Sequence, residues 1–443
     1  MKGPKVKTHK CIIVLRNYTV ENSFCCAYSL WRYQKKPPGE LRVFGLPFRY
    51  LCAMAKFFLR KKIGDRVVNG HPWIFGNELG DSEGTAEPGE IVEVYSYNGS
   101  FVGKGYINPA SQIRIRLLTR DKDAEINDQF FHDRIAEAWE YRKQIGYVEN
   151  CRLIFGEADQ LPALIIDKFN DYFVIQTLAL GMDKWKSAIV AALQKIFSPK
   201  GIYERNDVSV RTIEGMEQQK GFLSEPFDTN LIINENGLKF HVDIENGQKT
   251  GYFLDQQDNR RAIEHIVKGA DVLESFCYTG TFSMHAAKYG AKSVLGLDIS
   301  ENAVSTARRN AELNGFEDIC KFQAVNAFDV LKQWVKDGKR YDVVMLDPPA
   351  FTKSRDNIDK AITGYKEINL RGMKLTKPGG FLVTASCTNL VPPEKFLEII
   401  AAAAKDAKRT LRQVCWQTQS ADHPILWNIP TTQYLKFLIV QVL

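Results

Sequence analysis

The sequence predicts an α/β protein whose C-terminal half is a doubly wound parallel sheet, preceded by a small β-barrel and a small α/β segment. Two observations predict it. From about residue 236 onward, apolar runs of strand length alternate with helical segments, the rhythm of parallel strands with helices on both faces. Between residues 56 and 121 the rhythm differs, with short β elements broken by turn signals, as in a small barrel. The length of 443 residues leaves room for two or three domains.

The first 53 residues stand apart in charge. They hold ten Lys/Arg and two Glu, a net of +8, whereas the rest holds 49 Lys/Arg against 50 Asp/Glu, a net of −1. The overall +7 therefore resides in this segment, together with four of the nine cysteines. It carries KKPPGE at 35–40 and shows no clear period. It reads as a basic non-globular extension: translated sequence ahead of a start at Met54, a disordered arm, or a targeting peptide. The cysteines form no CxxC pair, which argues against a zinc site or a disulfide framework and fits a reducing cytoplasm. No run of eighteen apolar residues occurs, so no transmembrane helix and no membrane partner are expected.

Residues 54–125 follow, with FFLRKK, EIVEVYS, FVGKGYI and IRIRLLT as strands and NGHP, EPGE, YNGS and NPAS as turns. Residues 126–235 form a middle segment. Its helix over 128–145 is marked by Phe131, Ile135, Ala138, Trp139 and the Arg142 stem at helical spacing. Strands are expected at 163–167, 172–178, 201–205 and 230–234, with a helix at 182–197. In residues 236–443 the strands are DVLESFCY, KSVLGLDIS, KFQAVNA, YDVVMLDPP and GGFLVTAS. Helices at 279–289, 300–314, 327–337 and 363–376 separate them.

In such a sheet a ligand binds beyond the carboxyl ends of the strands. The first strand runs into ESFCYTGTFS, where Gly280 lets backbone approach a ligand. A single glycine disfavours a pyrophosphate and hence NAD. The second strand ends in Asp298, suited to the diol of a ribose; the alternative is a cap for the helix beginning SENA. The third ends in Asn326–Ala327–Phe328, suited to an adenine edge and face, with a helix cap again the alternative. The fourth ends in Asp347–Pro348–Pro349, where two prolines stiffen the loop and aim Asp347 into the crevice. Cys387, just past the fifth strand, reads as either a packing thiol or a nucleophile. Cys151, Cys277, Cys320 and Cys415 read as packing residues.

Glycine turn, ribose acid and D-P-P in that order resemble the class I S-adenosylmethionine-dependent methyltransferases. The resemblance sharpens with GQKTGYFLDQQDNR (247–260), FCYTGTFS (276–283), LDPPAFTKS (346–354), GYKEINL (364–370), SCT (386–388) and ADHPI (421–425). These resemble the bacterial 23S ribosomal RNA cytosine-C5 methyltransferases, and LRKKIGDRVVNGHPWIF (59–75) and YINPASQIRIRLL (106–118) resemble that family's RNA-binding PUA domain. The resemblance implies a PUA barrel, an α/β middle domain and a Rossmann-like methyltransferase domain. It implies S-adenosylmethionine held by Tyr252, Gln256, Phe276, Tyr278, Thr279, Gly280, Asp298, Ile299, Asn326, Ala327 and Asp347. It implies large-subunit ribosomal RNA as partner, and leaves a homodimer open. Thr281 stands where the family often has a second glycine, Glu274 where Asn or Asp is usual, and Asn326 where Asp is usual. Ala350 stands where some RNA cytosine-C5 methyltransferases carry a second cysteine, so one cysteine has to suffice.

The resemblance gives Cys387 a purpose. C5 of cytosine is a poor nucleophile until a thiolate adds to C6. The surroundings of Cys387 are accordingly expected to lower its pKa, and Asp347 to stabilise charge on the base. For the RNA, Arg60, Lys61, Lys62, Arg66, His71 and Trp73 mix charge with aromatic surface. Arg114 and Arg116 alternate along a strand and are expected to share a face. Competing readings are guanine-N7 methylation of ribosomal RNA, which needs no covalent thiol, a small-molecule methyltransferase, and a non-enzymatic RNA-binding assembly protein.

Overall fold

The computed structural model describes residues 54–61, 65–352 and 354–443, with four short strands ahead of them. The chain divides into two compact units, Met1–Ala53 and Met54–Leu443. In the first, Val14–Leu15 pairs with Tyr18–Thr19, and Leu30–Arg32 with Phe44–Leu46, both antiparallel. The expectation of a non-globular basic extension otherwise falls outside the described residues.

The second unit begins with a six-stranded sheet in the order Trp73–Phe75, Ile113–Thr119, Phe101–Ile107, Ile91–Tyr95, Lys56–Leu59, Leu79–Glu83. Its core is Leu59, Val67, Ile74, Val92, Val94, Ile107, Ile115 and Leu117. Alternation places Val92 and Val94 inward, as a half-buried strand requires. Two of the six strands escaped the sequence reading. Trp73–Phe75 and Leu79–Glu83 are short and flank a single 3₁₀ turn, too little chain to show a period.

Helix Asp128–Gln144 follows, capped by Asn127, whose Oδ1 accepts from Phe130 N at 3.0 Å. Phe131, Ile135, Ala138 and Arg142 are its buried positions, as their spacing predicts. It packs on a five-stranded sheet running Asn150–Phe155, Leu164–Phe169, Tyr172–Thr177, Gly201–Asn206, Gln219–Phe222. A hairpin of Asn230–Glu235 and Leu238–Asp243 comes next, closed by Asn236–Gly237 with φ +53° and +74°. The boundary expected at 235/236 falls in this turn. Because the two strands pair along their whole length, the hairpin is one unit.

The remaining sheet has seven strands: β1 (Asp271–Ser275), β2 (Ser293–Asp298), β3 (Cys320–Ala324), β4 (Tyr341–Leu346), β5 (Thr376–Ser386), β6 (Leu411–Gln417) and β7 (Lys436–Val442). Their order is 3-2-1-4-5-7-6, with β1 to β5 mutually parallel and β7 antiparallel to both β5 and β6. Helices α1 (Thr281–Lys288) and α2 (Glu301–Asn314) cover one face. α3 (Ala327–Lys336), α4 (Ile358–Leu375) and α5 (Pro393–Ala407) cover the other. The sheet is therefore doubly wound as expected, but not wholly parallel. Its last two strands form an antiparallel pair that the periodicity did not reveal. This matters for function, because β7 begins where β5 ends.

Candidate active site

Every group singled out on the sheet lies at one edge, since the parallel strands all end there. The loop from β1 to α1 is the most contorted. Phe276, Tyr278 and Gly280 have φ of +67°, +47° and +75°. Side-chain-bearing residues seldom adopt such angles, and backbone strain of this kind gathers at binding sites. Gly280 is required twice over: by its φ, and because a Cβ there would meet the Phe322 ring at 3.0 Å and Ala307 Cβ at 3.1 Å. Ser275 Oγ and Thr279 Oγ1 are buried at this edge without hydrogen-bond partners.

Asp298, at the end of β2, accepts from Tyr278 N and Ser300 N, each at 2.9 Å. It is not the cap of α2; Ser300 is, accepting from Ala303 N. Ile299 beside it is 75% exposed. Asn326 caps α3, accepting from Phe328 N at 3.0 Å, with Ala327 buried behind it. From here an aromatic chain crosses the edge. Phe276, Phe328, Phe351 and Tyr365 follow one another with ring centroids 5.9, 5.8 and 4.4 Å apart.

Asp347 and Cys387 come together because β4 and β5 are parallel neighbours, with Leu346 opposite Thr384. Gln256 Nε2 donates to Asp347 Oδ2 at 2.9 Å, and Gln256 Oε1 accepts from Asn259 at 2.6 Å. Tyr252, by contrast, is 2% exposed and packs in the core against Phe240 and the Arg260 guanidinium. Asp255, which the family resemblance places in a wall of the cofactor pocket, and three groups that sequence reasoning gave no role, Lys249, Tyr434 and Lys436, complete the arrangement. Lys249 donates to Asp255 Oδ2 at 2.7 Å, the Tyr434 hydroxyl donates to the same oxygen at 2.5 Å, and Lys436 is buried at the head of β7. Lys249 and Asp255 sat within GQKTGYFLDQQDNR. The available signal for Lys436 was a single cation opening the apolar run KFLIVQV.

The electrostatics separate the two carboxylates. Burial opposes ionisation of Asp255, but Lys249, His423 and the Tyr434 hydroxyl outweigh it and hold the carboxyl well below the usual range. Burial and the charge on Asp255 push Asp347 up, to about 6. Asp255 is therefore ionised at neutral pH, whereas Asp347 titrates much closer to it. Cys387 contradicts expectation. Burial first, then the nearby Asp347, raise its pKa, with Lys249 and Lys436 working the other way. The half-buried thiol at a sheet edge rich in carboxylates is harder to ionise than a free one. Cys151, Cys277 and Cys320 are buried as packing residues.

The expected RNA face of the barrel needs correction. Arg116 is 5% exposed and pairs with Glu214 at 2.8 Å, so it does not share a surface with Arg114. Ile115 and Leu117 face the barrel core, so Arg116 lies on the opposite face of the strand, which is covered where Glu214 packs against it. His71 is buried, accepts from Trp73 N at 3.1 Å, and has its pKa lowered to about 4 by burial and by Arg66, so it is neutral. Trp73 donates its indole N–H to Glu157 at 2.7 Å, and Arg66 is tied to Glu78 and to Trp73 O. These four side chains stabilise the barrel and its docking. Arg60 and Lys61 remain exposed, with Lys61 over the Tyr97 ring; Arg114 is half-buried, and Lys62 lies outside the described residues. Arg116→Ala should lower stability by about 3–5 kcal/mol in a denaturant titration, the scale for orphaning a buried carboxylate. Lys61→Ala should stay within about 0.5 kcal/mol of the native protein.

Known proteins resemble this chain in sequence and in fold. Residues 216–415 match the family of S-adenosylmethionine-dependent methyltransferases, and residues 57–120 match the PUA-like domain family. A ribosomal RNA large subunit methyltransferase I from Alteromonas mediterranea is 39% identical over 376 residues, covering 84% of this chain and 95% of that one. Its namesake from Aliivibrio fischeri is 41% identical over 385 residues, covering 86% and 97%. Among solved structures, one described as a SAM-dependent methyltransferase from Streptococcus mutans superposes with a TM-score of 0.75 at 20% identity, covering 87% of this chain and all of its own. Another, a methyltransferase in complex with SAH, gives 0.76 at 20% identity over the same shares. The likeness to the solved structures carries the fold, and the identity to the bacterial enzymes carries more: this chain belongs to the ribosomal RNA large subunit methyltransferase I family of S-adenosylmethionine-dependent enzymes.

Proposed function

We propose that this protein methylates C5 of a cytosine in large-subunit ribosomal RNA, through a covalent bond between Cys387 and C6 of the base. The observation that carries the reading is the pairing of Cys387 with Asp347 at adjacent strand ends, beside a strained loop that fits the cofactor. The relatives' names carry the choice of ribosomal RNA.

S-adenosylmethionine, when bound, supplies an electrophilic methyl group on a sulfonium centre. The unpartnered hydroxyls of Ser275 and Thr279, the bent loop 276–280, the Asp298 carboxylate and the exposed Ile299 suit its amino-acid, ribose and adenine parts. Asn326 and Gln256 flank them. Asp298→Ala should weaken cofactor binding by about 1–3 kcal/mol in calorimetry, the cost of unpaired polar groups; an unchanged affinity would leave Asp298 as a brace for Tyr278 N and Ser300 N.

At the base, Cys387 gives up its proton and its sulfur adds to C6, and the electron pair of the C5–C6 bond becomes available at C5. Charge that builds on the ring at N3 is met by Asp347, whose raised pKa suits it to lend a proton there and recover it later. C5 takes up the methyl group and then loses its proton to solvent water, and the electrons of that C–H bond re-form the double bond as the thiolate leaves. The Tyr365–Thr388 hydrogen bond of 2.8 Å holds the turn that presents Cys387. Arg60 and Lys61 on the barrel are exposed cations available to phosphates. Nucleoside mass spectrometry of ribosomal RNA, with and without the gene, tests the whole reading: 5-methylcytosine should disappear from one site. Loss of a methylated guanine instead would establish the N7 alternative.

A further inference from the structure

Lys436 is a buried cation that the chemistry above does not use. Its side chain is 2% exposed, and no carboxylate lies within ion-pairing distance of it among the described residues. Its ammonium donates to two backbone carbonyls, Thr388 O and Tyr434 O, both at 2.8 Å. A buried cation normally has a counter-ion, because carbonyls alone replace little of its hydration. The sheet register shows where that counter-ion is. Lys436 lies opposite Ser386 on the neighbouring antiparallel strand, one residue short of Cys387, and Thr388 O belongs to the residue just after it.

We propose that Lys436 is the counter-charge of the Cys387 thiolate: a positioning residue that lets Cys387 ionise and holds the 386–388 turn while it does so. The inference rests on the reading of Cys387 as nucleophile, and it answers a difficulty in that reading. Facing Cys387 are Asp347 from the end of β4, Lys249 and Asp255 from the segment before β1, Tyr365 from α4 and Lys436 from β7. The carboxylates and burial work against a thiolate. Of the two cations, Lys249 is already committed to Asp255 at 2.7 Å, whereas Lys436 has no anion of its own. The effect is mutual: burial lowers the Lys436 pKa to about 8, and Cys387 is the one charged partner that raises it. On ionisation the thiol proton passes to solvent, to which Cys387 is partly open, and the charge left behind meets an ammonium already in place.

The test is the pH dependence of Cys387 alkylation by iodoacetamide in the full-length protein, followed at that residue by peptide mass spectrometry. Lys436→Met should move the midpoint of alkylation upward by about one pH unit or more, the scale of a lost neighbouring charge. Lys436→Arg, which keeps the cation, should leave it near the native value. Lys436→Gln keeps amide donors for the two carbonyls, lacks the charge, and should behave like Met. Thermal melting and cofactor binding establish that each variant is folded. An unmoved midpoint in the folded neutral variants overturns the proposal, and so does an equal shift in the Arg variant, which would make shape the cause. If neither neutral variant folds, Cys387→Ser in the native background decides: the Lys436 titration, read by NMR of ε-labelled lysine, should fall, and an unmoved titration overturns the pairing. Alkylation reports thiol ionisation whatever base is methylated. A product other than 5-methylcytosine would therefore remove the nucleophile role and leave the Cys387–Lys436 pair standing.

Discussion

Cys387→Ala should abolish methyl transfer, by on the order of 10⁴-fold or more, while leaving cofactor affinity nearly unchanged. The two effects separate because of where the residue sits. The strained loop and Asp298 stand at the ends of β1 and β2, whereas Cys387 follows β5, with β4 between it and β1. Removing the thiol leaves the cofactor side intact and takes away the bond that makes C5 nucleophilic. Covalent chemistry allows a second measurement. RNA carrying 5-fluorocytosine at the target should remain attached to the native protein after methyl transfer, because fluorine cannot leave as a proton does. The adduct should be missing with Cys387→Ala. Residual C5 methylation by that variant would show the thiol to be a packing residue after all.

Much of this site was legible before any coordinates, for a physical reason. Strand ends in a parallel sheet converge on one edge, so Gly280, Asp298, Asn326, Asp347 and Cys387 could be placed together from five apolar runs and the residues that follow them. What stayed hidden depended on partners distant in sequence. Arg116 looks like a surface cation along its strand until Glu214, from another element, is brought against it at 2.8 Å. Trp73 looks free to stack until Glu157 takes its N–H. Lys436 arrives through an antiparallel strand whose pairing no local period announces. The pKa of Cys387 was misjudged for the same reason. A motif names the residue that must ionise, but the sign of its shift is set by burial and by whichever charges the fold assembles around it.

Asp347→Asn should trade activity for stability. The amide still accepts from Gln256 and occupies the same volume, but it has no proton to lend to the base. Methyl transfer should fall by about 10²–10³-fold, within the usual range for a lost general acid. Stability should move the other way at neutral pH. Burial and Asp255 raise the Asp347 pKa from 3.8 to about 6, so the folded state prefers the protonated acid. Between those two values the folded state binds more protons than the unfolded chain, and stability falls as pH rises through the window. Below about pH 4 both states are protonated and the native protein bears no penalty. Above about pH 6 the full cost is present, about 1–2 kcal/mol after allowing for the partial exposure of the group. The Asn variant has no such titration. Its melting temperature should exceed that of the native protein at pH 7–8, and the difference should vanish as the pH is brought to about 4. A native protein as stable as the variant at pH 8 would mean that Lys249 and Gln256 already offset the charge, and Asp347 would then be an ordinary carboxylate that braces Gln256. The opposite signs of the two effects distinguish a strained functional acid from a structural one, whose loss would lower activity and stability together.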